Sequence, residues 1–241
     1  MLPTLLPLLL LAALAGLVRG FSGFGYAVIM GLGLAWVLPV PQAVATALLL
    51  DLVCVLGALP WAWRHREPAL LAPLLLGMVL SLPAGVWLLQ ALPASGLHLM
   101  AGVIALLGGL MLLTRWQLPG GMPHLALPVG MASGLAMTCA SAGGPPLMYY
   151  LLNQPCRPET QRATAILFFA CSSLLSLLAL GGGDLLGEGW LTLAAQLWLP
   201  SLLGDRAGAW LFRRHGTTSL RRWSALLLIL LAFGVLLHPA P

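Results

Sequence analysis

Arg19 is the residue of this chain best suited to binding chemistry. It lies in an apolar stretch, within the glycine-rich segment Gly16-Leu-Val-Arg-Gly-Phe-Ser-Gly-Phe-Gly25. A related segment, Gly134-Leu-Ala-Met-Thr-Cys-Ala-Ser-Ala-Gly-Gly-Pro-Pro146, follows about 118 residues later without the charge. Both begin Gly-Leu, carry a serine (Ser22, Ser141) and end in glycines before a short apolar run. A charge at membrane depth is costly and marks function by default. Its planar fork of donors suits a carboxylate, sulfonate, sulfite or sulfate. A helix that starts after each break presents unpaired N–H groups and a partial positive charge, both favourable to an anion. Gly23, Gly25, Gly143 and Gly144 allow close backbone approach. Ser22 and Ser141 are placed to cap those helices or to donate a hydroxyl to an oxyanion. On this reading Arg19→Ala removes anion binding and leaves the chain folded.

Two further polar features lie in apolar runs. Asp205 and Arg206 are adjacent, so on a helix their side chains diverge and each needs its own partner. Arg206 reads equally as a second anion contact or as an ion partner of Asp51. Asp51 reads as a counter-ion for an arginine or, because burial favours its neutral form, as a carrier of a coupling proton. No paired carboxylates, nucleophile with a placed base, or His/Glu metal pair appears, so no catalytic residue, metal or cofactor is expected. The four cysteines have no metal-like spacing and read as small apolar residues, with Cys139, in the second break, the one to probe with thiol reagents.

The elements that must position these residues are membrane helices. Of 241 residues, 60% are hydrophobic and 7% charged, against roughly 25% charged in a soluble domain. A net charge of +5 in such a chain reflects membrane orientation rather than nucleic-acid binding. Apolar runs at 43–63, 69–91, 97–114, 163–180, 190–212 and 223–237 are read as spanning helices. Residues 2–38 and 125–153 are read as composite elements, each split by its glycine break into pieces mostly too short to span. If each enters and leaves on one side, the loop arginines (Arg64, Arg66, Arg115, Arg157, Arg162, Arg213, Arg214, Arg221, Arg222) all fall on one face. The positive-inside rule makes that face cytoplasmic and puts both termini outside.

The expected fold is therefore an all-α polytopic membrane protein of two inverted repeats, 1–118 and 119–241. Each is a broken or re-entrant helical hairpin plus three transmembrane helices. Gly85-Val-Trp87-Leu88 matches Gly208-Ala-Trp210-Leu211, and Gln42 matches Gln161. Gly16-x-x-x-Gly20, Gly130-x-x-x-Gly134 and Gly204-x-x-x-Gly208 read as close helix-packing positions.

These residues resemble the TauE/SafE family of sulfite exporters and related permeases over nearly the whole chain. The resemblance rests on Gly20-Phe-Ser-Gly-Phe-Gly25 with Pro39, Ser141-Ala-Gly-Gly-Pro-Pro146 with Pro158, and Leu203-Gly-Asp-Arg-Ala-Gly-Ala-Trp210. Where the family has a fuller glycine run, this chain has Gly23-Phe-Gly25, a departure that bears on substrate shape more than on fold. The resemblance implies transport of sulfite, small organosulfonates or carboxylates; the residues alone specify a small oxyanion.

The expected function is secondary transport of a small anion across the bacterial inner membrane. The anion sits between the two breaks on Arg19, Ser22, Gly23, Gly25, Ser141, Gly143, Gly144 and Arg206, with Asp51 as the candidate proton carrier. Competing readings are an anion channel, a small-carboxylate carrier, a non-transporting membrane subunit and a membrane enzyme. The expected partners are the anion and the bilayer, not nucleic acid. A homodimer is compatible with a chain this small, though no motif requires one.

Overall fold

The computed structural model describes residues 2–114, 122–181 and 189–215, with 226, 229–230 and 232–233. Among them every regular element is helical. Leucine- and alanine-rich runs form the helices, and glycine and proline end them. Helix α1 (Leu2–Ser22) stops at Gly23 and Gly25, whose φ values of 84° and 96° lie in the left-handed region that glycine adopts readily. Helix α2 (Tyr26–Leu34) then runs back along α1: a side chain at Gly25 would meet Val18, and one at Gly33 would meet Leu11. Proline starts the next elements, α3 (Val40–Val55), α4 (Leu59–His65, after a 3₁₀ turn at Leu56–Ala58) and α5 (Pro68–Ala91). Then come α6 (Ala94–Thr114), α7 (Ala126–Ala140), α8 (Gly144–Leu152), α9 (Pro158–Gly181) and α10 (Trp190–His215).

Five stretches are long and apolar enough to cross a membrane: Leu5–Ser22, Val40–His65, Pro68–Ala91, Ala94–Met111 and Pro158–Gly181. The 26 residues of α10 extend about 39 Å, although Asp205 and Arg206 make it less apolar. The expected span at 223–237 lies largely outside the described residues, as do Arg115, Arg221 and Arg222.

The first break is shorter than the sequence implies. Helix α1 is unbroken through Gly16, Arg19 and Gly20, and only 23–25 interrupts the helix. Its 21 residues reach about 31 Å, enough to cross the core alone. The reason is that Gly16 and Gly20 are contact positions and not helix breakers. A β-carbon at Gly16 or Gly20 would collide with backbone of α10 at Ser201 and Asp205, and one at Gly204 or Gly208 with backbone of α1 at Ala13 and Leu17. The numbering rises together on both helices, so they run parallel. Helices α5 and α7 repeat the arrangement: Gly77 packs on Leu127, Gly130 on Leu74, and Gly134 on Met78 and Ser81. In lipid, where burying leucine gains nothing over the solvent, such backbone-to-backbone contact is what holds helices together. Leucines and tryptophans, among them Leu10, Leu107, Leu178, Trp63, Trp87 and Trp210, cover the outside, as a lipid-facing surface requires.

Candidate functional site

The α1–α10 crossing presents Arg19 on the last turn of α1 opposite Asp205. Arg19 is buried and doubly paired: its Nε donates to Asp51 Oδ1 of α3 at 2.8 Å, and its Nη1 to Asp205 Oδ1 at 3.1 Å. The second oxygen of Asp51 accepts from the Ser173 hydroxyl of α9 at 3.1 Å. Four helices thus meet on one ion triad. Arg19 is therefore not the free cation that its sequence context implies, because two carboxylates already occupy its fork. The divergence of Asp205 and Arg206 decides their fates: Asp205 turns inward to Arg19, and Arg206 is exposed. Asp51 pairs with Arg19 and not with Arg206.

The two breaks come together beside this triad. A cavity of about 10 Å³ is lined by Phe24, Gly25, Ala27, Val28, Asp51, Met137, Ser141, Gly144 and Phe169, which is room for about one water molecule. Gly25, Ala27 and Val28 belong to the start of α2, and Gly144 to the start of α8. Neither helix has a side-chain cap, so the N–H groups of their first turns have no side-chain cap partner. Pro145 and Pro146 carry no N–H, which leaves Gly144 as the donor at the mouth of α8. A β-carbon on Gly144 would stand 3.2 Å from the Phe24 ring, so its lack of a side chain leaves room for the ring beside it in the cavity wall.

Ser141 is the most informative wall residue. It ends α7 with φ 54°, and Ser141 N and Ala142 N bond back to Met137 O and Ala136 O at 3.0 and 2.9 Å. That is the helix-ending position where glycine is usual. A serine there costs on the order of 1–2 kcal/mol of backbone strain. Its hydroxyl is completely buried and has no hydrogen-bond partner among the described residues.

Of the expected site residues, Gly25, Ser141, Gly144 and Asp51 line the cavity, and Arg19 stands directly behind Asp51. Ser22 and Gly23 lie beside it. The Ser22 hydroxyl is 2.7 Å from both Val18 O and Phe24 O, so it holds the turn and caps nothing. Gly143 packs against Ser133 and Met137 of α7. Arg206 lies apart. Cys139 is buried, its thiol bonding Leu135 O at 2.8 Å, and it does not face the cavity.

Sequence reasoning missed four contributors. Phe24 and Phe169 are two more phenylalanines in an apolar chain, with no local signal. Ser173 had one: Ser172, Ser173 and Ser176 form a polar stripe on an apolar helix, and Ser176 reaches Thr138 of α7 at 2.8 Å. Arg162 reads as a loop charge but donates to Gly20 O at 3.1 Å and lies against Gly23, where it satisfies a carbonyl at the end of α1.

The family model described as sulfite exporter TauE/SafE matches residues 8–235, a range holding both breaks, the triad and both glycine-packed crossings. The chain is also similar to the "Probable sulfite/organosulfonate exporter TauE" of Cupriavidus necator, with 32% identity over 185 residues, 70% of each chain. No solved structure matches it. The breaks and the late Gly-Asp-Arg helix are thus embedded in a match that runs almost end to end, and this all-helical integral membrane protein belongs to the TauE/SafE family of sulfite exporters, which are transporters and not enzymes.

Proposed function

We propose that the protein is a secondary transporter of a small oxyanion, sulfite or a small organosulfonate, bound in the cavity between the two helix breaks. The observation that carries this reading is the convergence of the uncapped starts of α2 and α8 on one cavity, whose wall includes the buried, unpartnered hydroxyl of Ser141. Helix N-termini bind anions through oriented N–H groups and the helix dipole. A hydroxyl left without a partner in the protein interior is costly unless a ligand takes it up. The printed name of the similar Cupriavidus necator protein supports sulfite and organosulfonates as the anion class.

At about 10 Å³ the cavity has space for one water, so it must widen to admit the anion, and Phe24 and Phe169 are wall side chains whose movement would do so. The glycine-packed pairs α1–α10 and α5–α7 are units that move as wholes. They correspond to each other if α1 matches α7 and α5 matches α10, as the Gly16/Gly134 and Gly85/Gly208 alignments require. That correspondence supports two repeats, 1–118 and 119–241. The return of α2 along α1 supports a re-entrant hairpin over 2–38.

The test is flux of labelled sulfite and methanesulfonate into proteoliposomes containing wild-type protein or Ser141→Ala. Saturable flux, weakened in the variant, is expected. Flux that rises without saturation indicates a channel, and no flux of either anion contradicts the assignment.

A further inference from the structure

We propose that the anion and Asp51 exchange places on Arg19, and that Asp51 takes up a proton as it leaves, so that one anion moves together with one proton. The inference rests on the anion site proposed above and adds its coupling.

Three observations carry it. First, Arg19's two carboxylate partners are not equivalent. Asp205 sits on α10, whose glycines lock it to α1 by backbone contact, so Arg19 and Asp205 travel together. Asp51 comes from α3, and it alone of the triad lines the cavity. An anion arriving there meets Asp51 first and reaches Arg19 only by displacing it.

Second, the two carboxylates differ in what they can do with a proton. Oδ1 of Asp205 faces a guanidinium, which donates only and cannot accept an acid proton. Oδ2 of Asp51 faces the Ser173 hydroxyl, which donates to a carboxylate and accepts from a carboxylic acid. Asp51 is thus satisfied in both protonation states: Asp51–COO⁻ plus H⁺ gives Asp51–COOH, with the new O–H directed at Ser173 Oγ.

Third, the charges balance only with that proton. Arg19 pairs with Asp51 and Asp205, and Arg162, which donates to the Gly20 carbonyl one residue beyond Arg19, brings a second positive charge to the region, so two positive charges stand against two negative ones. A monoanion alone leaves a net negative charge at membrane depth, which is expensive, and a proton on Asp51 removes it. The other titratable groups near the cluster are Cys54 on α3 and Tyr26 on α2, a thiol and a phenol that are uncharged in their ordinary forms at neutral pH. From α7 the cavity wall is Met137 and Ser141, which do not titrate.

The probe is methanesulfonate, a strong acid that remains ionised throughout, so that any pH dependence belongs to the protein. In weakly buffered detergent solution, wild-type protein is expected to take up about one proton per anion bound, and its affinity to fall about tenfold per pH unit where Asp51 is ionised, because linkage is reciprocal. Asp51→Asn, a stand-in for the protonated acid, should bind independently of pH and without proton uptake. Should that variant fail to fold, the wild-type proton count still decides, and Ser173→Ala should lower the affinity at low pH several-fold by stranding the acid proton. Saturable binding with no proton uptake and no pH dependence would overturn the coupling while leaving the anion site. Absence of saturable methanesulfonate binding at every pH would overturn both.

Discussion

Replacing Arg19 by methionine keeps an unbranched apolar stem and removes the guanidinium and its charge. Sequence alone makes such a change a clean test of binding, because Arg19 reads as a free cation awaiting an anion. The triad predicts otherwise. The side chains of Arg19 and Asp51 are each 6% exposed and that of Asp205 17%, so the substitution strands two carboxylates away from water. Removing one partner of a buried ion pair costs about 3–5 kcal/mol. Asp51 retains the Ser173 hydroxyl, which keeps the loss within that range rather than doubling it. For a chain of this length each kcal/mol lowers the melting temperature by about 2–4 °C, so Arg19→Met should melt about 6–20 °C below wild type. Asp51→Asn is the control. It keeps the Arg19–Asp205 bond and still offers Arg19 an amide oxygen, so its cost is about 1 kcal/mol. Adding Asp51→Asn and Asp205→Asn to Arg19→Met should recover most of the loss, since no stranded carboxylate then remains. The assay is thermal aggregation of detergent-purified protein followed by size-exclusion chromatography, with all variants heated in parallel. An Arg19→Met protein that melts with the wild type, or a triple variant no better than the single one, would refute the reasoning that the triad is a buried, mutually dependent ion cluster.

Other expectations follow from individual contacts. Ser141→Gly relieves the left-handed serine and removes an unpaired buried hydroxyl, so the protein should melt no lower than wild type while binding sulfonate about fivefold more weakly, the loss of about 1 kcal/mol. Lower stability with unchanged affinity would reverse the role given to that residue. Gly204→Val places carbon into the backbone of α1 at Ala13 and should lower the melting temperature more than Gly57→Val, whose position has nothing nearby; equal effects would contradict the close crossing. Gly144→Ala puts a β-carbon 3.2 Å from the Phe24 ring and should reduce anion affinity with little loss of fold, measured by titration of purified protein. The thiol of Cys156 lies outside the spans and is pushed above its ordinary value by burial and by Glu67. Its alkylation at neutral pH should therefore be slower than that of a free thiol and should speed up as pH rises; a rate equal to that of free thiol would argue against that environment.

Much of this architecture is legible in the sequence because membrane physics leaves few options. Long apolar runs ended by proline and glycine are helices, and glycines four apart are contact positions. Gly16, Gly20, Gly204 and Gly208 illustrate how far such reading goes. Their spacing marks them as packing residues, yet it does not say that they pack on each other, and without that pairing the first break looks seven residues longer than it is. The same gap separates Arg19 from its partners. Burial demands a counter-charge for Arg19 and for Asp205, but 186 positions separate the two, and only the α1–α10 crossing brings them together. Asp51 has the marks of a counter-ion in sequence, and its partner is set by where α3 packs. Phe24 and Phe169 line the cavity, a role set by shape that leaves no trace in residue type. Arg162 is hidden for a different reason: a long side chain at a helix start serves both the orientation rule and the nearby carbonyl of Gly20.

The most direct test of the anion site between the breaks is protection of a single thiol placed there. Ser141→Cys, made in a chain whose four native cysteines are replaced by alanine, puts a thiol on the cavity wall. Its alkylation by N-ethylmaleimide in proteoliposomes would be followed with increasing methanesulfonate or sulfite, with chloride at equal ionic strength as the control. Saturable protection by the sulfur oxyanions and none by chloride is the predicted result. A labelling rate that no concentration of either oxyanion changes would contradict an anion site between the two breaks.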